Sequence, residues 1–135
     1  QVYYTMPIGH VLLKVNTVDH AAVVEFYSQA LKPLGNEKLS TMPNGWVVFG
    51  SKGPEWVVGI ASTESETKAH VAFVAPDRAS VDAFHATAVA AGGKDHGAPG
   101  FRPQIHPNHY GAFVLDPLGN NIEAGCMTPS DQGEL

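Results

Sequence analysis

The feature that most constrains the fold of this chain is an internal repeat. The segment Gly9-His10-Val11 recurs sixty positions later as Ala69-His70-Val71, and in both copies a small residue, a histidine and a valine lead into an apolar run. An apolar stripe at helical spacing follows each run, and the two stripes keep a constant offset of 58 positions. Self-similarity on this scale predicts two copies of one supersecondary unit.

The first copy reads as a strand, a helix and three further strands. Residues 8–15 are nearly all apolar, and the helical stripe that follows has Thr17 or Asp19 as its predicted N-cap. Pro33 and Gly35 are expected to end that helix. Turn-forming residues then separate three predicted strands, at 37–42, 46–50 and 55–61.

The second copy has the same order. A strand is predicted at 69–75, and a helix follows Asp77 and stops at Gly92-Gly93. Another strand begins at Lys94, but the glycine- and proline-rich segment 97–108 is predicted to be irregular. The last two strands, at 110–115 and 121–127, flank the turn Asp116-Pro117-Leu118-Gly119-Asn120.

This repeat predicts an α+β fold. Two tandem βαβββ modules, 8–62 and 69–127, are expected to form a curved mixed-sheet cup with the helices on its outer face. Together they make a single domain, 8–127, which suits a chain of 135 residues. Residues 1–7 are expected to be an N-terminal extension and residues 128–135 a loose tail.

Composition narrows the classes of function. The net charge of −5 and the lack of a basic cluster argue against nucleic acid as a partner. No apolar run approaches the roughly 18–20 residues of a membrane span. The single cysteine, Cys126, allows no intrachain disulfide, so a reducing, cytoplasmic location is expected. The partner expected is a small-molecule substrate.

Strand alternation gives the two repeated histidines a direction. If the apolar residues next to them pack against the helices, then His10, His70 and Glu123 all point into the cup. Two imidazoles and one carboxylate suit one divalent ion (Zn, Fe, Mn or Ni) and leave positions open for water and substrate. The first-module counterpart of Glu123 is Val58, so a fourth ligand is not expected. The alternative is an empty cup with hydrated or paired polar groups.

Other residues are candidates for catalysis or substrate contact. Glu123, Tyr110 or His106 is predicted to move a proton, with Tyr110 on the cup face of its strand. His109 is expected at the substrate entrance, and Arg102 is a candidate to hold an anionic group. Packing or solvated surface roles are the alternatives. The first module is expected to supply an apolar wall from Trp46, Trp56 and Val58.

The pattern resembles the vicinal oxygen chelate superfamily, also called the glyoxalase/bleomycin resistance/extradiol dioxygenase superfamily. The resemblance rests on the two histidine segments and above all on 111–123, which holds a strand, an Asp-Pro-x-Gly-Asn turn and a glutamate. It implies metal ligands at His10, His70 and Glu123. Because nothing acidic lies near Val58, the arrangement departs from glyoxalase I and is closer to fosfomycin-resistance thiol transferases and extradiol dioxygenases.

The function predicted is therefore a metal-dependent glyoxalase/dioxygenase-like enzyme. Its small organic substrate would chelate the metal through oxygens, in lyase, isomerase or dioxygenase chemistry. The alternative is a metal-free protein that binds or sequesters a small molecule. The resemblance also favours a homodimer. The modules then pair across two chains, with His10 from one and His70 and Glu123 from the other, whereas pairing within one chain remains the other possibility.

Overall fold

The structure is a computed structural model that describes residues 10–61, 68–105 and 107–127. Residues 1–9, which include the predicted N-terminal extension, residues 62–67 between the modules, His106 and the predicted tail 128–135 lie outside the described residues. Within the described part of the chain, no helix is long and apolar enough to cross a membrane.

Two βαβββ modules make up the fold, as the repeat predicts. The first sheet has the order β1-β4-β3-β2 and the second the order β5-β8-β7-β6, so the two sheets have the same topology. In each sheet the first and last strands of the module run parallel and the other neighbours antiparallel. The strands are β1 (Val11–Val15), β2 (Glu37–Thr41), β3 (Val47–Gly50), β4 (Pro54–Ile60), β5 (His70–Val74), β6 (Lys94–Phe101), β7 (Tyr110–Leu115) and β8 (Asn121–Cys126).

Each module carries one long helix. Helix α1 spans Thr17–Ala30 and α2 spans Arg78–Ala90. The N-cap of α1 is Asn16, whose side-chain oxygen accepts from the backbone N–H of Asp19 at 2.8 Å. The prediction of Thr17 or Asp19 as the N-cap is therefore wrong. A short 3₁₀ helix (Lys32–Leu34) follows α1, because a proline in this turn lacks the N–H that an α-helix needs.

Strand β6 is longer than the sequence predicts. The segment from Gly97 onward is not irregular throughout, because β6 continues to Phe101. The pairing of β6 with β7 shifts register twice, between Asp95 and Gly97 and between Gly97 and Gly100. These shifts are bulges that let the strand continue through its glycines. Pro99 fits because β6 is an edge strand, where a missing N–H removes no sheet hydrogen bond.

The helix-bearing faces of both sheets share one hydrophobic core. Trp56 of β4 contacts Tyr27 of α1 and Phe73 of β5, with ring centroids 5.2 and 5.4 Å apart, so the core is continuous between the modules. Parts of the opposite faces are exposed in the described part of the chain. Along β5, His70, Ala72 and Val74 are exposed while the residues between them pack against the core.

The Asp-Pro-x-Gly-Asn turn ties the two modules together. Oδ1 of the buried Asp116 accepts from the backbone N–H groups of Leu118 and Asn120, and Oδ2 accepts from the Tyr27 hydroxyl at 2.8 Å. The Asn120 side chain accepts from the backbone N–H of Ala69 just before β5. Gly119 has φ +86°, a left-handed conformation that favours glycine. The turn therefore fixes both α1 and the strand that bears His70.

Candidate metal centre

Glu123 and His70 lie side by side on the open face of the second sheet. Strands β5 and β8 are parallel, and their register places Ala72 opposite Glu123 and His70 opposite Asn121. The Nε2 atom of His70 lies 3.7 Å from Oε2 of Glu123. The imidazole is 55% exposed and the carboxylate 9%, so a buried acid borders an accessible base.

His10 does not join this pair within one chain. It is exposed at the start of β1, in the other sheet, on the same face as Leu12 and Lys14. Across the described ranges, no three His, Cys, Asp or Glu side chains come together in a way that could hold a metal ion. One chain therefore brings together only two of the three predicted ligands, His70 and Glu123, without His10.

His109 is the second imidazole beside Glu123. Its Nε2 atom lies 3.5 Å from Oε1 of the carboxylate, and its side chain is only 8% exposed. Neither ring nitrogen has a hydrogen-bond partner in the described part of the chain. His109 thus lies on the floor of the site and not at its entrance.

Tyr110 points away from the site. The register of β7 with β8 pairs Phe113 with Glu123 and Tyr110 with Cys126, so Tyr110 and Glu123 lie on opposite faces. The Tyr110 hydroxyl donates to Asp82 of α2 at 2.6 Å. The prediction that Tyr110 shares the cup face is wrong, because the residues of β7 that lie on the same face as Glu123 are Gly111 and Phe113. His106, the other predicted proton carrier, lies outside the described residues.

The predicted apolar wall of the first module separates into two groups. Trp56 and Val58 are 1% and 0% exposed and belong to the core, so they lie on the helix side of β4 and not on the face of His10. Trp46 lies on the open face, beside Gly59 and Leu12. A Cβ atom added at Gly59 would lie 3.1 Å from the Trp46 ring. The buried Cys126 is a free thiol, as its position opposite the Glu123 face predicts.

Arg102 lies along the same open face as Glu123. Its guanidinium carbon is 5.6 Å from the centre of the Phe113 ring, and that ring lies 6.0 Å from His70. Two guanidinium nitrogens donate to the carbonyls of Ala98 and Phe101. A planar cation supported by the aromatic ring that also neighbours His70 suits an anionic group.

Sequence reasoning missed the proximity of His109 to Glu123, and Phe113 as the ring between His70 and Arg102. The signal for both is the alternation of side chains along β7. His109, Gly111 and Phe113 alternate along the chain and therefore point to one side of the sheet. The register of β7 with β8 shows that this is the side on which Glu123 lies.

The donor chemistry of this face fits part of a metal site. The Glu123 carboxylate is buried between two imidazoles, and a cation stabilises the negative charge of a buried carboxylate. Imidazole and carboxylate donors suit Zn²⁺, Fe²⁺ and Mn²⁺. Each chain brings two of the predicted donors, His70 and Glu123, together on one sheet. The third donor, His10, is exposed on the other sheet.

No family model matches the chain, and no curated protein is similar to it in sequence. Its structure is similar to a glyoxalase/bleomycin resistance protein from Albidiferax ferrireducens T118, with a TM-score of 0.70 and 28% identity, over 90% of this chain and 98% of that one. A glyoxalase/bleomycin resistance protein/dioxygenase family enzyme from Burkholderia phytofirmans PsJN has a TM-score of 0.68 at 20% identity, with 88% and 97% covered. Lactoylglutathione lyase from Agrobacterium tumefaciens has a TM-score of 0.64 at 21% identity, with 91% and 95% covered.

Proposed function

Because the chain has the fold of the glyoxalase/bleomycin resistance/dioxygenase proteins of the vicinal oxygen chelate superfamily, we propose that it is a metal-dependent enzyme of that kind. Its substrate is a small organic molecule that chelates one divalent ion (Zn, Fe, Mn or Ni) through oxygens, in lyase, isomerase or dioxygenase chemistry. The observation that carries the proposal is the buried Glu123 carboxylate beside the accessible His70 imidazole, on an open sheet face.

The ligand roles follow from this placement. His70 and Glu123 of one chain bind the ion, and His10 of a second copy supplies the third donor, since His10 is exposed at the start of β1. When bound, the ion supplies an electrophile that polarises a substrate oxygen and stabilises developing negative charge. The Glu123 carboxylate is the described group that moves a proton there, because Tyr110 is directed toward Asp82.

A homodimer follows from the same argument. The core joins the two helix-bearing faces within one chain and leaves the His10 face and the Glu123 face outside it. Val74, on the Glu123 face, is 81% exposed, so this face presents an apolar side chain that a second copy can cover. Two copies related by a two-fold axis pair each His10 face with a Glu123 face and form two equal sites.

Arg102 and Phe113 give this site a preference for one class of substrate. The remaining N–H groups of Arg102 bind a carboxylate or similar anion, while the Phe113 ring packs against the organic part of the molecule. Trp46 contributes the apolar wall from the first-module face. The substrate class is therefore a small organic anion with two oxygens close enough to share one metal ion.

Metal content tests the proposal. Protein purified without chelator, or titrated with Zn²⁺, Fe²⁺, Mn²⁺ or Ni²⁺, is expected to hold close to one equivalent per chain by mass spectrometry. His70→Ala and Glu123→Gln are expected to hold far less, while His96→Gln, which removes an exposed histidine of β6, keeps the full amount.

Wild-type protein that stays well under one equivalent with every ion contradicts the enzyme proposal. The metal-free alternative, a protein that binds or sequesters a small molecule, then remains. Equal metal content in the His70→Ala variant would contradict the ligand assignment alone.

A further inference from the structure

The two carboxylate oxygens of Glu123 have different histidines as neighbours. Oε1 lies 3.5 Å from Nε2 of His109, and Oε2 lies 3.7 Å from Nε2 of His70. We infer that His109 is a positioning residue, which holds Oε1 of Glu123 from below and leaves Oε2 as the oxygen that binds metal beside His70. The inference rests on the proposed metal-binding role of Glu123 and adds a residue that does not itself bind the ion.

Two glycines form the space in which the His109 ring lies. Gly111 of β7 and Gly125 of β8 face each other across the strand pair, next to the pair of Phe113 and Glu123. A Cβ at Gly125 would lie 2.6 Å from Cε1 of His109, and a Cβ at Gly111 would lie 2.9 Å from Nε2. Real Cβ atoms do not come so close, so any side chain at Gly125 displaces the ring. The backbone therefore places the imidazole against the sheet, with its edge toward Glu123.

The burial of His109 has a cost that packing alone does not explain. Both ring nitrogens are buried without a hydrogen-bond partner in the described part of the chain, and burial of such polar groups destabilises the fold. A phenylalanine ring would fill the same space without that cost. The atom that gains from the imidazole is Oε1, since a slight approach from 3.5 Å turns the contact into a charge-assisted hydrogen bond.

Fixing one carboxylate oxygen has a direct effect on the other. A carboxylate that is free to rotate offers either oxygen to the ion, whereas a carboxylate held at Oε1 presents Oε2 on the side of His70. Hydrogen bonds to metal-binding carboxylates orient them, and loss of such a partner typically weakens metal binding about 10- to 100-fold.

The test uses two variants of His109 in the full chain, with Co²⁺ as the probe. His109→Phe keeps a ring in the glycine-lined space but has no donor, and His109→Gln restores an N–H near the position of Nε2. We expect His109→Phe to bind Co²⁺ about 10- to 100-fold more weakly and to change its visible absorption spectrum, while His109→Gln recovers most of both. His96→Gln is the matched control and should behave as wild type.

A second measurement separates positioning from structural support. In the metal-free chain the 3.5 Å contact with Glu123 is not yet a hydrogen bond, so His109→Phe is expected to melt at the same temperature as wild type or higher, since it removes buried polar atoms that have no hydrogen-bond partner there. Weaker Co²⁺ binding in a chain of undiminished stability supports the inference.

Three results would overturn it. These are Co²⁺ affinity and spectrum unchanged in His109→Phe, the same loss in His109→Gln as in His109→Phe, or a loss of affinity that only follows a loss of stability. Failure of the proposed function is a different result, because wild-type protein then binds no Co²⁺ at all.

Discussion

At the scale of single residues, the contact between Tyr27 and Asp116 links helix α1 of the first module to the turn that precedes Glu123. Both side chains are buried, and their hydrogen bond measures 2.8 Å across 89 positions of sequence. Burial, followed by the negative charge of Asp116 and the hydrogen bond to it, raises the pKa of Tyr27 well above 10.0. The hydroxyl therefore stays protonated in the folded chain at pH values where it ionises in the unfolded one.

Replacing this hydroxyl tests the link. Tyr27→Phe is expected to lower the free energy of unfolding by about 1.5–3 kcal/mol near neutral pH, since a hydrogen bond to a buried carboxylate is lost. Above pH 10 the difference from wild type should shrink, because ionisation of Tyr27 then favours the unfolded wild-type chain. Urea denaturation at several pH values measures both effects.

The same change at Tyr110 is the control for that prediction. Its hydroxyl donates to an exposed aspartate, so Tyr110→Phe should cost much less. A Tyr27→Phe variant as stable as wild type, or a difference that grows above pH 10, would contradict the account of this contact.

Residue identity could be predicted better than residue contact. His70 and Glu123 follow from strand alternation and from the turn sequence, and the structure places them together. The face of Tyr110 could not be predicted, because it depends on the register of β7 with β8, which no local sequence pattern encodes. The burial of His109 likewise depends on glycines of two strands that are fourteen positions apart, Gly111 and Gly125.

At the scale of elements, the sequence predicts the order of strands and helices well and their ends less well. The N-cap shifts from Thr17 to Asn16 because several neighbouring residues have capping side chains and only the backbone geometry selects one. Strand β6 extends through glycines and a proline because an edge strand tolerates bulges. Ends of elements depend on such neighbours, whereas apolar periodicity marks their interiors.

The cap of α1 can be tested directly. Asn16→Ala is expected to lower the free energy of unfolding by about 1 kcal/mol, because the backbone N–H of Asp19 loses its acceptor. Thr17→Ala, at the exposed position that the sequence also offered, should cost little or nothing, since alanine is a good helix former. Thermal denaturation of both variants measures the difference, and an equal loss in the two would contradict the assignment of the cap.

At the scale of the whole molecule, the repeat predicts two modules but not how their free faces are used. The modules join through their helix-bearing faces in one continuous core, which leaves the faces of His10 and of Glu123 on separate sheets. Periodicity identifies which residues avoid the core, but it does not determine what covers them. The central proposal is that two copies complete each other's metal-binding faces.

Mixing two variants that each lack one metal ligand tests this claim most directly. The His10→Ala variant keeps His70 and Glu123, and the His70→Ala variant keeps His10, so neither homodimer has a complete ligand set. After the two are unfolded together and refolded as an equal mixture, tight metal binding should return to about a quarter of the wild-type sites, since half of the dimers are mixed and each has one complete site. A mixture that binds no more metal than the separate variants would contradict a site shared between two copies.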